Sequence, residues 1–558
     1  MITLRRALHL GAALLFVALP ARSQAPIATL IAEGDPLAGV GNVTSILNLT
    51  INDSGDWIVE VDTDNANTDI DGALVKTGAL YIQEGQALTA PAGASVDTFD
   101  TVNLSATGHS GWNFFLDGTT GTSDDSGIYF DDILVLQEGT LSTSPSFSAG
   151  TPYIGFFECK INSANQILVV ASVDDPAIAT TVDRALVVFQ VDGLGSLLSE
   201  TVFVKEGDQL AGQTDLVSTT GSGPHNFAYN ELGDIMFVAD LDGSTTTDGV
   251  VYLNNALLAQ EGSPSPVAGR NWLTLSTSVR MSLNDNGDWV HTGTLDAPTT
   301  DDLVIIKNGA LFRQEGEMLA AISPFALTSF GTGPVEIDAA GNVLWFGDWD
   351  DPDTTKDTGL FLNDTLLVQE GVTMIGGVVI QSLVSFTDGF KLSPNGRYVI
   401  FEATLANGVN GAYMIDLEAP TIYCTAKVTS SGCLPAIAFS GSPSASAGSG
   451  FLITADQIDP QRFGLFFYGK SGPAAFAFQG GTLCVNPPQT RTPVQDSGGL
   501  AACSGTYSID FNTHIAGGSD PALVAGQQVN GQYWFRDPGF PAPDNTGLSD
   551  AIEFEIAP

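Results

Sequence analysis

Short runs of alternating apolar and polar residues follow one another along most of the chain, and turn-forming residues separate them. A weak apolar run is followed by an Asn/Asp/Ser-x-x-Gly turn, a strong apolar run and an acidic, threonine-rich loop. Two further apolar runs then enclose a two-residue turn such as Asn308-Gly309. Because alternation between turns of this kind is typical of β-strands, the pattern predicts a unit of four strands.

This unit recurs, and each copy closes on a Glu-Gly pair. The pairs begin at Glu33, Glu84, Glu138, Glu206, Glu261, Glu315 and Glu370. Repeats of four strands at a spacing of roughly 50 residues are the sequence signature of a β-propeller. The sequence therefore predicts an all-β protein whose main domain is a propeller.

The two ends of the repeat region predict how the ring closes. The last unit ends near Leu417 without a fourth strand, whereas residues 27–35 resemble a fourth strand that has no unit of its own. The N-terminal strand can complete the last sheet and remove its exposed edge. If the N-terminal strand supplies the fourth strand that the last unit lacks, the repeats form seven complete blades over residues 24–418. The third unit is the least regular, so eight or six blades are alternatives, as is an open β-solenoid.

The repeat pattern stops after Glu418, and four of the five cysteines follow it: Cys424, Cys433, Cys484 and Cys503. Short strands between Pro- and Gly-rich turns predict a β-sandwich over residues 419–558. An even set of cysteines in an exported domain predicts two disulfides. Of the three possible pairings we prefer the sequence-local one, Cys424–Cys433 and Cys484–Cys503. Cys159 is expected to be a buried thiol in a strand.

The N-terminus carries the pattern of a signal peptide. Arg5 and Arg6 precede a short apolar run, and small residues at Ala21 and Ser23 fit cleavage before Gln24. The run is too short to span a bilayer. Residues 1–23 are therefore predicted to be removed, and the protein is predicted to be secreted, periplasmic or bound at the cell surface.

Charge limits the choice of partners. The chain has 63 Asp and Glu against 19 Lys and Arg, a formal net charge of −44. Nucleic acids and anionic membranes both require clustered basic residues. We expect neither as a partner and expect an extracellular protein or a glycan instead.

The acidic loops all join the second strand of a unit to the third, so propeller topology places them on one face. Pairs of aspartates two residues apart provide the oxygen ligands that Ca²⁺ prefers. The candidate ligands are Asp62, Asp64, Asp240, Asp242, Asp348 and Asp350. None of these loops has full EF-hand spacing, and the alternative is a solvated acidic surface that keeps the protein soluble. Calcium is the one cofactor that the sequence indicates.

The glutamates of the Glu-Gly pairs end the fourth strands on the same face. We expect a structural role for them, with the glycine allowing a sharp connection and the carboxylate bonding to neighbouring backbone. These glutamates are Glu84, Glu138, Glu206, Glu261, Glu315 and Glu370.

Two segments resemble known repeat proteins. Residues 392–401 (LSPNGRYVIF) resemble the propeller repeats of the periplasmic protein TolB. The Asn-x-x-Gly turns and Gln-Glu-Gly strand ends resemble exported tandem-repeat propellers of unknown function, known mainly from planctomycetes. The stretch from Cys424, with its Trp534–Gly539 segment (WFRDPG), resembles a C-terminal domain of large exported planctomycete proteins. These resemblances imply the fold, export and disulfides, and they supply no catalytic residues.

No nucleophile elbow, phosphate-binding loop or zinc-protease motif occurs in the sequence. We therefore predict a non-enzymatic binding or scaffold protein whose acidic face engages cations or a polar or basic ligand. One alternative is an extracellular glycan hydrolase with catalytic carboxylates on that face, and another is a structural surface-layer component. Acids that converge in a central funnel with raised pKa values would favour the hydrolase.

Overall fold

The computed structural model describes residues 26–557, except residues 179, 181, 222, 224, 277 and 387. The predicted signal peptide lies outside these residues. The chain divides into two compact units, Ile27–Leu417 and a second unit that begins at Glu418. Both units are built from antiparallel sheets, so the predicted all-β class is confirmed.

The described residues of the first unit form seven antiparallel sheets, numbered here in chain order. Strand β1 (Ile27–Ala32) precedes them. Sheets 1 to 3 comprise β2 (Pro36–Leu37), β3 (Gly41–Ile51), β4 (Trp57–Thr63), β5 (Gly72–Lys76) and β6 (Ala79–Gln83); β7 (Ser95–Phe99), β8 (Gly111–Asp117), β9 (Ser126–Phe130) and β10 (Ile133–Gln137); and β11 (Tyr153–Ile161), β12 (Gln166–Val173), β13 (Asp183–Val191) and β14 (Leu197–Lys205).

Sheets 4 to 7 follow the same order, with a first strand interrupted into two pieces. They comprise β15 (Val217–Thr220), β16 (Phe227–Tyr229), β17 (Ile235–Leu241), β18 (Gly249–Leu253) and β19 (Ala256–Gln260); β20 (Trp272–Thr274), β21 (Met281–Leu283), β22 (Trp289–Leu295), β23 (Leu303–Lys307) and β24 (Ala310–Gln314); β25 (Leu327–Ser329), β26 (Glu336–Ile337), β27 (Val343–Trp349), β28 (Thr358–Leu362) and β29 (Thr365–Gln369); and β30 (Met374–Ile375), β31 (Val378–Leu383), β32 (Phe390–Leu392), β33 (Tyr398–Leu405) and β34 (Asn410–Asp416).

The N-terminal strand completes sheet 7. Strand β1 pairs antiparallel with β34, with Ile27 opposite Ile415 and Ala32 opposite Gly411. This is the pairing that the repeat arithmetic predicted. It covers an edge that would otherwise present unpaired backbone groups.

The central strands of each sheet are apolar on both faces because each sheet packs between two others. Ile58 of β4 lies in a cluster with Trp112 and Phe114 of sheet 2. The next residue, Val59, lies in a cluster with Ile400 of sheet 7. Successive side chains of a strand point to opposite faces, so a continuous apolar run buries both faces of the sheet.

Turns of the Asn-x-x-Gly type join the first strand of a sheet to its second strand. The Asn230 Oδ1 accepts hydrogen bonds from the backbone N–H groups of Leu232 (3.1 Å) and Asp234 (2.7 Å). Its Nδ2 donates to the backbone carbonyl of Asn284, the equivalent residue of the next sheet, at 3.1 Å. The same bond to the next sheet is made by Asn52 to Ser105 (3.2 Å), Asn162 to Asn230 (3.4 Å) and Asn284 to Asp338 (2.7 Å). We call these contacts the turn ladder.

The second unit contains eleven strands and a short helix among the residues that the structure describes. They are β35 (Thr421–Tyr423), β36 (Ala436–Ser440), β37 (Leu452–Ile458), β38 (Phe463–Gly469), β39 (Pro473–Phe478), β40 (Gly481–Val485), β41 (Gln489–Arg491), β42 (Gln495–Asp496), β43 (Gly505–Asp510), α1 (Phe511–Ala516), β44 (Gln528–Arg536) and β45 (Thr546–Glu555).

Two sheets of this unit share one core. One is a six-stranded sheet built around β38, β44 and β45, and the other is the three-stranded sheet β36-β37-β43. Tyr507 and Tyr533 come from different sheets, and their rings stack with centroids 5.6 Å apart. The Tyr533 hydroxyl donates to the Ile453 carbonyl at 2.8 Å. The two sheets therefore face each other across this cluster.

The cysteine pairing that we predicted is wrong. The disulfides join Cys424 to Cys484 and Cys433 to Cys503, across 60 and 70 residues of sequence. The Tyr423 hydroxyl donates to the Cys484 carbonyl at 2.7 Å, so the ends of β35 and β40 contact each other although they belong to different sheets. Sheet packing, not closeness in sequence, brings the partners together. Cys159 is buried in β11, as predicted.

Within the described part of the chain, no helix combines the length and the apolar character that a membrane crossing requires.

We predict that Asn230→Ala destabilises the first unit by about 1–3 kcal/mol, the usual result of leaving buried hydrogen-bonding groups unpaired. Asn230 is 5% exposed, so water cannot replace its bonds. Chemical denaturation followed by tryptophan fluorescence measures the change. Asn407→Ala is the matched control, because the Asn407 Oδ1 bonds only to the nearby Val409 N–H (3.2 Å) at an exposed turn. Equal destabilisation by both substitutions would show that the turn ladder contributes nothing.

Candidate functional site

A cavity of about 260 Å³ is lined by equivalent segments of all seven sheets of the first unit. A space that all seven first strands reach lies on their common axis, and we call it the central cavity. Four of its side chains occupy the same place in their sheets, two residues before the turn: Lys160, Ser282, Glu336 and Lys391.

The central cavity contains acidic and basic groups together. Its ionisable side chains are Asp53, Glu158, Lys160, His225, Glu231, Asp285, Glu336, Asp388 and Lys391. The Lys391 ammonium lies 2.7 Å from the Glu336 carboxylate. His225 Nε2 lies 3.4 Å from Asp388 Oδ1. Each of these contacts joins an acidic side chain to a basic one, and all four side chains are largely shielded from water.

Glu158 differs from the other acids of the central cavity. Its side chain, on β11, is 9% exposed and makes no hydrogen bond or ion pair with any residue that the structure describes. Burial, and then the negative charge of Asp388, raise the pKa of Glu158 to about 9. Glu158 therefore holds a proton at neutral pH while lining a cavity. Burial also raises the pKa of Asp388.

Lys160 lies two residues after Glu158 on β11, and both line the central cavity. Its Nζ is 5.2 Å from the centre of the Phe227 ring. Burial, and then the positive charge of Lys391, lower the pKa of Lys160. A carboxylic acid and an amine thus project from one strand into the central cavity.

Three rim acids connect neighbouring sheets. Asp53 Oδ1 accepts from the Asn395 N–H at 2.7 Å, and Glu231 Oε2 accepts from the Ser163 N–H at 2.6 Å. Asp285 Oδ1 accepts from the Glu231 N–H at 2.9 Å. These carboxylates are engaged with backbone and act alongside the turn ladder.

Three of the six aspartates that we assigned to calcium bond to backbone. In each, the carboxylate accepts the N–H of a residue on the paired strand, and the aspartate N–H donates to that residue's carbonyl. The pairs are Asp64 with Asn42 (2.7 and 2.8 Å), Asp242 with Leu216 (2.8 and 2.8 Å) and Asp350 with Ala326 (2.7 and 3.0 Å). Each of these two-bond contacts lies at the end of the pairing between the first and second strands of its sheet.

The other three lie two residues earlier. Asp62 accepts from the Ser45 hydroxyl at 2.9 Å, Asp348 accepts from the Thr328 hydroxyl at 3.1 Å, and burial raises the pKa of Asp240. Among the described residues, no group of three or more His, Cys, Asp or Glu side chains is placed to hold a metal ion. Calcium binding stays a prediction.

The glutamates of the Glu-Gly pairs bond to the start of their own third strand. The donors are Gly72 N–H to Glu84 (2.8 Å), Ser126 hydroxyl to Glu138 (3.0 Å), Arg184 N–H to Glu206 (3.0 Å), Gly249 N–H to Glu261 (3.3 Å), Leu303 N–H to Glu315 (3.5 Å) and Thr358 hydroxyl to Glu370 (2.6 Å). Glu261 also accepts the Leu275 N–H of the next sheet at 2.7 Å. These contacts tie third and fourth strands together at the face of the acidic loops.

The sequence patterns predicted none of the charged residues of the central cavity. Those patterns are motifs that recur between units, whereas the residue two positions before the turn differs from unit to unit. A fixed offset before each turn was the available signal, because positions 160, 282, 336 and 391 all lie two residues before one.

Comparisons with known proteins find one family match to part of the chain and several similar solved structures. Residues 18–255, less than half of the chain, match a family described as a family of unknown function (DUF7453). No curated protein matches the sequence. A similar solved structure is Trypanosoma rangeli sialidase in complex with 2,3-difluorosialic acid, a covalent intermediate. It is 11% identical, with 96% of this chain and 97% of that chain covered and a TM-score of 0.31.

Two further structures are similar. One is an engineered GH43 glycoside hydrolase with endo-xylanase and exo-arabinofuranosidase activity, 9% identical, covering 79% of this chain and 94% of that chain, with a TM-score of 0.19. The other is a tetra-tandem repeat from the extending region of a large adhesion protein, 10% identical, covering 95% and 99%, with a TM-score of 0.13.

These comparisons contradict our prediction of a non-enzymatic protein. The sialidase and the GH43 hydrolase are enzymes, and we withdraw that prediction. At these identities the likeness concerns the fold alone. The resemblances to TolB repeats and to planctomycete proteins stay predictions.

We predict that the protein loses stability as pH rises from 5 to 9, and that Glu60→Gln weakens this dependence. Burial raises the pKa of Glu60 to about 8, while Asn48 Nδ2 donates to its carboxyl group at 2.7 Å. A group whose pKa is raised on folding stabilises the protein fully below its unfolded pKa, near 4.3, and loses this contribution as pH passes its folded pKa.

Glutamine keeps the shape and the acceptor of Glu60 without a titrating proton. The measurement is the melting temperature across this pH range, with Glu555→Gln at an exposed strand end as the control. Parallel profiles for wild type and Glu60→Gln would contradict the assignment.

Proposed function

We propose that the protein is an exported glycoside hydrolase that acts in the central cavity, with Glu158 as the general acid. The observation that carries this proposal is the Glu158 carboxyl group, which is protonated at neutral pH and bonded to no described side chain. A proton held at neutral pH beside open space is what a leaving-group oxygen requires.

Asp388 supplies the second carboxyl group that glycoside hydrolysis uses, as nucleophile or as base for a water molecule. Its charge acts on Glu158, which places the two groups near each other. Lys391 and Lys160 favour the charged form of Asp388 against its burial. His225, 3.4 Å away, holds one carboxylate oxygen in place. The two carboxyl groups therefore differ in environment, as an acid and its partner must.

The volume of the cavity sets the size of the substrate. About 260 Å³ lies near the lower end of ligand pockets, which span roughly 300–1,000 Å³. A space of this size would take one terminal sugar unit and not a long glycan segment. We therefore propose cleavage at chain ends.

Export accords with a substrate outside the cell. The two disulfides of the second unit form in oxidising compartments, and the predicted signal peptide would direct the chain there. A strong negative charge keeps such a protein soluble.

We predict that Glu158→Gln lowers kcat at least 100-fold, the usual size of a general-acid contribution. The assay measures release of 4-nitrophenol or 4-methylumbelliferone from a panel of α- and β-glycosides, and reducing ends from polysaccharides. Wild-type kcat should fall as pH rises past about 9, where Glu158 loses its proton.

Glu402→Gln is the matched control for this experiment. Glu402 is also buried, and burial raises its pKa to about 7, but it lies on β33 outside the lining of the central cavity. Its loss should leave kcat within twofold of wild type. A wild-type protein that cleaves no member of the panel, or a Glu158→Gln variant as active as wild type, would overturn the proposal.

A further inference from the structure

Strand β11 presents two reactive side chains to the central cavity. Glu158 and Lys160 are separated by one residue of this strand. Both line the cavity, so a small molecule that enters it meets both groups.

Neither group is committed to another side chain. Lys160 makes no hydrogen bond or salt bridge with a residue in the described part of the chain, and its ammonium group lies 5.2 Å from the centre of the Phe227 ring. Lys391 occupies the same level of sheet 7 and is paired with Glu336 at 2.7 Å. Glu336, the acid at this level of the sheets, is thus already paired with Lys391 and not with Lys160.

We propose that Lys160 is a nucleophilic amine that forms an imine with a small aldehyde, including the open-chain form of a reducing sugar, and that Glu158 is its proton donor. The lysine nitrogen adds to the carbonyl carbon and forms a C–N bond. Glu158 protonates the carbonyl oxygen and regains a proton from the nitrogen. Glu158 then gives a proton to the new hydroxyl group, the C–O bond breaks and water leaves. The nitrogen forms a C=N bond and returns its last proton to Glu158, and no electrons are transferred to an outside group.

Lysines react as neutral amines, and two features increase the neutral fraction of Lys160. Burial disfavours its charged form, and the neighbouring Lys391 charge lowers its pKa further. The opposing groups are Glu336, Asp388 and Glu158, which favour the ammonium form. Of these, Glu336 is paired with Lys391 and Glu158 carries a proton, so the remaining opposition comes mainly from Asp388.

This inference goes beyond the proposed hydrolase and is tested without turnover. Glycoside hydrolysis releases reducing sugars, which are aldehydes in their open form, so the two activities share a cavity and a class of ligand. Covalent capture is measured as an adduct. A protein that fails every glycoside assay can still be labelled at Lys160.

The experiment treats the folded protein with limiting glycolaldehyde and sodium cyanoborohydride at pH 7, which reduces any imine to a stable amine. Digestion and mass spectrometry then give the modified fraction at each of the eight lysines. We expect Lys160 to be modified at least tenfold faster than Lys356, which is the more exposed but is paired with Asp353 at 2.8 Å. Modification that follows exposure, with Lys356 ahead of Lys160, would overturn the proposal.

Two variants separate the roles of the pair. Lys160→Arg should abolish labelling at this position and leave that of Lys356 unchanged. Glu158→Gln should slow labelling of Lys160 several-fold and leave Lys356 unchanged, because only the proton donor is lost. An unchanged Lys160 rate in Glu158→Gln would refute the role of Glu158. The wild-type peptide map decides the reactivity of Lys160 even if a variant fails to fold.

Discussion

The arrangement of the first unit depends on how its first-to-second-strand turns satisfy their backbone. One asparagine side chain such as Asn230 accepts two N–H groups of its own turn and donates to the carbonyl of the next turn. The same residue thus shapes a hairpin and fixes the spacing between sheets. Because the bond links four pairs of neighbouring sheets, it helps to hold the ends of the first strands around a common axis. The central cavity exists because these first strands converge without meeting.

Charge is distributed according to what each carboxylate contacts. At the acidic loops, groups such as Asp64 accept backbone N–H groups, so much of the large negative charge reinforces strand pairing. Inside the cavity the backbone is already paired, and acids are compensated by lysines or kept protonated. Glu336 is compensated by its ion pair with Lys391, whereas Glu158 is kept protonated. Carboxyl groups in different surroundings therefore have three different roles: they bond to backbone, form an ion pair or hold a proton.

The sequence allowed much of the fold to be predicted and little of the site. The repeats, the two-residue turns and the pairing of β1 with β34 follow from local patterns, since turn residues and alternation act over a few positions. Five of the predicted two-residue turns have a first residue with φ between 46° and 52°: Thr77, Asp131, Asn254, Asn308 and Asn363. The two disulfides were predicted, but their pairing was not, because Cys424 and Cys484 are brought together by sheet packing. The cavity residues escaped prediction because the residue two positions before the turn changes from repeat to repeat, as in Lys160, Ser282 and Glu336.

The sequence by itself determined which segments form strands, where they turn and that the last sheet needs the first strand. These choices depend on side-chain periodicity and turn chemistry, which are local properties. The tertiary structure alone decided which charged groups share a space. The central cavity brings together four charged residues from three different sheets: Lys160, Glu336, Asp388 and Lys391. In the sequence, nothing distinguishes them from the other polar residues of their repeats. Their chemistry arises from mutual proximity and exclusion of water, and neither is encoded at any single position.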